Sequence, residues 1–99
     1  LVTGIQPVSG IAEKYELSQN YPNPFNPVTK IKFSIPAREF VNLKVFDILG
    51  REVCTLVNST LIQGIYTVDF DAHDITSGVY FYRINAGGFT EVRKMIVVK

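Results

Sequence analysis

The residues best able to do chemistry stand together in Asp69-Phe70-Asp71-Ala72-His73-Asp74. Oxygen ligands at this spacing suit a hard cation such as calcium, and a histidine among carboxylates suits proton transfer. The stretch lacks the loop glycine and later bidentate glutamate of a helix-loop-helix calcium site. Asp69 falls on an outward strand position, and Asp71 and Asp74 fall in a turn. Solvated turn carboxylates are the simpler reading, with weak calcium binding at Asp69, Asp71 and Asp74 left open. His73 is the sole histidine, so no second imidazole shares a metal or a proton with it. No Gly-x-Ser-x-Gly elbow occurs. Asn85-Ala86-Gly87-Gly88 is a hairpin turn rather than a phosphate cradle, because no helical pattern follows it. Cys54 is expected to share a strand face with Lys44, whose ammonium would favour thiolate, but an ordinary small strand residue is the reading preferred here. Tyr66, Tyr80 and Tyr82 could line a sugar-stacking platform, but their alternation turns them inward. We therefore expect no catalytic residue, no cofactor and no metal site.

The elements that would have to position such groups are short. The chain has 99 residues, which suggests one domain, and a formal charge of +1 from 10 basic and 9 acidic residues. A chain of this mass buries roughly 65% of its unfolded surface, enough for one modest core. No basic stripe appears, so nucleic acids and anionic membranes are poor partners. The single cysteine rules out an intramolecular disulfide without excluding export. No apolar run reaches the roughly eighteen residues that span a bilayer. The start, Leu1-Val2-Thr3-Gly4, has neither Met nor a signal-peptide pattern, and reads as a fragment of a longer polypeptide.

Residues 1–16 carry Gly4, Pro7 and Gly10 and read as a linker, ending in an extended piece near Tyr15–Leu17. Next comes Asn20-Tyr21-Pro22-Asn23-Pro24-Phe25-Asn26-Pro27, with three prolines and three asparagines in eight residues. Each proline fixes φ and pushes its predecessor toward extended geometry, so little entropy remains to be lost on folding. Asn23 and Asn26 can close local Asx turns. Tyr21 and Phe25 can plug the bottom or edge of a sandwich, and proline supplies no N–H for edge pairing.

Period-two alternation dominates the rest. Ile31, Phe33 and Ile35 share one face, as do Val41, Leu43 and Val45. Asp47–Arg51 suits a three-residue hairpin loop with Gly50 at the positive-φ position, which would place Val45 opposite Val53 and Lys44 opposite Cys54. Tyr66, Val68 and Phe70 alternate, then Tyr80, Tyr82 and Ile84. A Gly87-Gly88 turn puts Tyr80 opposite Met95 and Val79 opposite Ile96. About seven short strands with no helical period predict an all-β, Ig-like antiparallel sandwich over residues 17–99. Its expected core is Ile31, Phe33, Ile35, Leu43, Val45, Val53, Tyr66, Val68, Phe70, Tyr80, Tyr82 and Met95.

Val79 and Phe81, with Ile96 and Val98, make the last hairpin apolar on its second face as well. A free sandwich face is normally polar, so this stripe needs a cover. The candidates are the N-terminal stretch with Val2, Ile5, Val8 and Ile11, a partner protein, or another domain of the parent. Val79, Phe81, Ile96 and Val98, rimmed by Lys94 and Lys99, are the expected partner surface.

Three blocks carry a family resemblance: Leu17–Pro36 with its proline pattern, Val41–Leu56 with Gly50-Arg51, and Ser77–Lys99 opening Ser77-Gly78-Val79-Tyr80. Together they resemble the type A C-terminal sorting domains of type IX (Por) secretion. They are also similar to the Ig-like domain of the flagellar hook-capping protein. The signature positions are Asn20 to Pro27, Gly50, Arg51, Ser77, Gly78 and Tyr80. The resemblance implies a non-catalytic domain at the end of a larger exported protein, carried to the periplasm and read there by the outer-membrane secretion machinery. In many members the domain is removed at the cell surface and the cargo is released or tethered to surface polysaccharide. The family often has Trp followed by Asp-Gly where Phe70-Asp71-Ala72 stands here, so packing at that point is expected to differ. Two other readings remain beside it: a structural Ig-like spacer or adhesion module, and a carbohydrate-binding accessory domain of a secreted hydrolase.

Overall fold

The computed structural model describes the chain from residue 2 and its side chains from residue 4. Among the described residues every regular element is a strand: β1 (Val2–Val8), β2 (Glu16–Leu17), β3 (Val28–Ile35), β4 (Glu39–Phe46), β5 (Glu52–Leu61), β6 (Gly64–Asp71), β7 (Gly78–Ala86) and β8 (Phe89–Val97). They form two antiparallel sheets of four strands, in the orders β1-β6-β3-β2 and β5-β4-β7-β8.

Alternation explains why these sheets face each other. Ile31, Phe33, Ile35, Val68 and Phe70 from one sheet, and Val41, Leu43, Val45, Tyr82 and Ile84 from the other, are almost wholly buried. Successive strand side chains point to opposite faces, so one hydrophobic set per strand suffices to build the shared interior. Phe33 lies opposite Tyr66 with ring centroids 5.6 Å apart, and Phe25 meets Phe70 edge-on at 6.1 Å. Such ring pairs add about 0.5–1.5 kcal/mol beyond area burial. The expected core residues are all buried except Val53, which packs partly exposed against it.

Three local expectations change. The stretch read as a linker contains β1, paired along β6 from Val8↔Ile65 to Val2↔Phe70. Gly4 and Pro7 obscured its pattern, and the register shift between Val2 and Ile5 marks an irregular strand. The connection read at Asn58–Gly64 is mostly strand, because β5 continues to Leu61. The β4–β5 register also differs: Val45 pairs with Cys54 and Lys44 with Thr55. Register shifts leave Val53 and Leu56 without direct partners, and the second lets both Leu56 and Val57 turn inward. A bulge inserts one residue and reverses the phase of everything beyond it. Cys54 and Lys44 therefore do not share a face. The β7–β8 hairpin has the expected register, with Tyr80↔Met95 and Val79↔Ile96.

Candidate functional surface

The proline-rich segment is a clip on the free edge of β8. Phe25 N–H donates to the Ile96 carbonyl at 3.1 Å, and Val98 N–H donates to the Phe25 carbonyl at 3.0 Å. Ile96 N–H donates to Asn23 Oδ1 at 2.9 Å, and Gln19 Nε2 donates to the Lys94 carbonyl at 2.7 Å. Backbone groups of an edge strand otherwise offer a template for another chain. Pro24 precedes Phe25, and the peptide bonds before Pro22, Pro24 and Pro27 are cis. Phe25 is buried as expected of a plug, whereas Tyr21 is exposed and reaches only Lys30 through backbone hydrogen bonds. Asn23 makes a long-range contact rather than a local Asx turn. The buried asparagine is Asn20, whose Nδ2 donates to Thr29 Oγ1 at 3.0 Å and to the Pro22 carbonyl at 3.1 Å.

Tyr66, Tyr80 and Tyr82 are buried, as their alternation predicts, and each hydroxyl is spent on backbone. Tyr66 donates to the Ile62 carbonyl at 2.8 Å and Tyr80 to the Thr76 carbonyl at 2.8 Å. Tyr82 donates to the Ser18 carbonyl at 2.6 Å and accepts from Asn20 N–H at 2.8 Å. Burial pushes its phenol up to about 12. Tyrosine thus works here as an apolar body with a polar tip that ties loops to the core.

The acidic cluster is dispersed. Asp69 Oδ1 accepts from Lys30 Nζ at 2.6 Å on the outside of β6, and Asp71 Oδ1 accepts from His73 N–H at 2.9 Å within the turn. Among the described residues no three His, Cys, Asp or Glu side chains converge as metal ligands do. Cys54 is half-buried, and burial first, then the Glu52 carboxylate, pushes its thiol up to about 11, away from thiolate.

The outer face of β5-β4-β7-β8 is the feature without an internal explanation. Phe46 lies directly opposite Phe81, Phe81 opposite Lys94, and Val79 opposite Ile96. These apolar side chains are half-buried, and Val92 beside them is exposed. The N-terminal stretch does not cover them, since β1 is built into the other sheet. Ile5 packs on the core, Val8 and Ile11 are exposed, and the Val2 side chain lies outside the described residues. Val98 follows β8 and is half-exposed. Lys99 is held at the strand end, where its N–H donates to Ser77 Oγ at 3.0 Å and its Nζ to the His73 carbonyl at 2.6 Å.

The Asp47–Arg51 turn extends this face. Asp47 Oδ1 accepts from Leu49 and Arg51 N–H at 2.9 Å each, and Arg51 Nε donates to Asp47 Oδ2 at 2.8 Å. These bonds, the backbone bond from Arg51 foremost, hold the Asp47 carboxyl below its ordinary range. Gly50 sits at φ +81°, a conformation that glycine adopts without strain. The turn is thereby locked with Ile48 and Leu49 projecting at 71% and 73% exposure. Ile48 borders two shallow concavities, one of about 290 Å³ against Phe46 and Phe81, the other of about 360 Å³ against Ser77 and Val79. Sequence reasoning found the strand half of this surface and missed Phe46, Ile48, Leu49 and Val92. The two apolar residues inside an otherwise polar turn were the available signal.

No curated protein and no solved structure matches the chain. The family described as secretion system C-terminal sorting domain matches residues 19–99. That span begins at Gln19, which bonds to the free edge of β8 at Lys94, and includes the whole proline clip, the Asp47–Arg51 turn and the final hairpin. The match covers well over half of the chain, which therefore belongs to the C-terminal sorting domains of type IX secretion.

Proposed function

We propose that this domain is a prefolded, non-catalytic address that directs a larger exported protein from the periplasm across the outer membrane to the cell surface or exterior. The outer-membrane secretion machinery reads it through protein contact with Val79, Phe81 and Ile96, with Lys94 as a charged rim. Val98 and Lys99 mark the lower border of that surface. The observation that carries the reading is a stripe of partly exposed apolar side chains, Phe46, Val79, Phe81 and Ile96, on an outer sheet face that β1 does not join. Contact of this kind needs no cofactor, and the upstream domain of the parent would reach the surface as cargo.

The test is Phe81→Ser together with Ile96→Ser in a fusion of the 99-residue chain behind a fluorescent protein, in a cell competent for type IX secretion. Export is lost while the purified double variant keeps its β-sheet circular dichroism and a cooperative melt. Normal export of a folded double variant refutes the assignment. A structural spacer would use the same apolar face against a neighbouring subunit, and the unmodified fusion would then stay inside the cell.

A further inference from the structure

The smaller concavity at the Asp47–Arg51 turn pairs an apolar lining with an arginine whose Nε lacks a hydrogen-bond partner. Phe46, Ile48, Phe81 and Val92 supply the lining, and Arg83 completes it. The Arg83 guanidinium lies 4.7 Å above the Phe46 ring. Its Nε is buried and has no hydrogen-bond partner. A buried donor to a charged group is costly to leave unpaired, and such orphans in native proteins call for an explanation.

The chain's own carboxylates do not supply the missing partner. Asp47 is occupied by its turn and by Arg51. Glu52 is near enough to feel Arg83, but its oxygens accept from Lys44 at 3.0 Å and Thr55 at 3.2 Å. Glu91 is paired with Arg93 at 2.9 Å. Lys94, one strand over from Phe81, also has no ion-pair partner among the described residues. Two cations beside a greasy recess, with the local anions already engaged, are complementary to a carboxylate attached to an apolar group. Arginine's planar fork favours a carboxylate because it can donate two parallel bonds to it. A recess of about 290 Å³ is at the small end of ligand sites and fits one large side chain.

We infer that this recess is an anchor pocket for a partner-protein segment that places an apolar side chain against Phe46, Ile48 and Phe81 and a carboxylate on Arg83. The inference rests on the reading of this face as the recognition surface and names the chemistry that surface selects. In an extended segment the two groups would be two residues apart, on one side of the strand. The chain would then favour acidic-apolar sequences in whatever machine reads it.

The probes are the capped peptides acetyl-Phe-Ala-Glu-amide and acetyl-Phe-Ala-Gln-amide, titrated into the isotopically labelled 99-residue chain and followed by nuclear magnetic resonance. The Glu peptide binds in the millimolar range expected of so small a ligand, and shifts the Arg83 side-chain N–H together with the amides of Ile48, Phe81 and Val92. The Gln peptide binds about tenfold more weakly, the loss of one charge-assisted contact. Added salt weakens the first and leaves the second unchanged. Arg83→Gln makes the two peptides equal, and Lys94→Gln reduces the preference by about twofold. Equal binding of both peptides by the native chain, no saturable shift at these residues, or a preference that survives Arg83→Gln overturns the pocket. If the peptides bind equally while the Phe81→Ser, Ile96→Ser fusion still fails to export, the pocket falls and the recognition face stands. If the Glu peptide is preferred while a folded double variant is exported normally, the pocket stands and the export role of the face falls.

Discussion

On the outside of the sheet β1-β6-β3-β2, Lys30 pairs with Asp69 at 2.6 Å and Lys32 lies opposite Thr67. On the outside of β5-β4-β7-β8, Phe46 lies opposite Phe81 and Val79 opposite Ile96. Both faces border the same core, and both are built from strands of similar length. The first has the polar outer residues expected of a sheet facing water. The second carries Phe46, Val79, Phe81, Val92 and Ile96 among Lys44, Arg83 and Lys94, an apolar stripe within a charged frame. An ion pair as exposed as Lys30–Asp69 contributes about 0–1 kcal/mol, so the polar face serves solubility more than stability. This contrast is what the proposed recognition face rests on.

The largest effect should separate these faces in the export assay. Phe81→Ser with Ile96→Ser abolishes delivery of the fluorescent fusion, whereas Lys32→Ser with Thr67→Ser leaves it unchanged. Loss of export in both pairs would mean that the assay reports general damage rather than a recognition face.

The next effect contrasts the clip with the face. Phe25→Ala removes a buried ring that packs on Phe70 and should cost about 3–5 kcal/mol in a denaturant titration. Phe81→Ala, at a half-buried outer position, should cost about 1–2 kcal/mol. Equal losses would erase the distinction between a structural ring and a ring kept for a partner.

A smaller effect isolates the polar tip that joins clip to core. Tyr82→Phe leaves the Asn20 N–H and the Ser18 carbonyl without their partner and should cost about 1–3 kcal/mol. The ring stays, so the sheet remains intact by circular dichroism while melting falls.

A pH dependence reports on the inner side of β5. The Cys54 thiol has an ordinary value of 9.0 and is pushed up to about 11 in the folded chain. Its folded form holds the proton more tightly, so this contribution to stability is complete below about 9 and is lost as pH rises through about 11. Alkylation of Cys54 near pH 8 should run about a hundredfold slower in the folded than in the unfolded chain, matching that displacement. Equal rates would show the thiol to be freely exposed.

Much of this was legible in the residues. The inward sets of β3, β4, β6 and β7 followed from alternation alone, because period two is a local property of strands. The β7–β8 register followed from Gly87-Gly88, since a two-residue turn leaves one pairing. The β4–β5 register did not, because the bulges at Val53 and Leu56 reverse phase without any residue that announces them. Strand β1 was hidden by Gly4 and Pro7, and only its pairing with β6 identifies it. Of the candidate surface, Val79, Phe81 and Ile96 could be read from the doubled apolar pattern. Phe46, Val92 and the unpartnered Arg83 could not, because each depends on which strands become neighbours.

By itself the sequence determined an all-β chain with one inward face per strand and a stiff proline segment before the first long strand. These are properties of near neighbours along the backbone. Tertiary structure alone decided that the proline segment closes the edge of β8, that β1 joins the polar sheet, and that one outer face stays apolar beside an unpaired guanidinium. Those outcomes depend on contacts between residues far apart in the chain, such as Asn23 with Ile96. Local pattern does not encode such contacts, because they form only once the two sheets have packed.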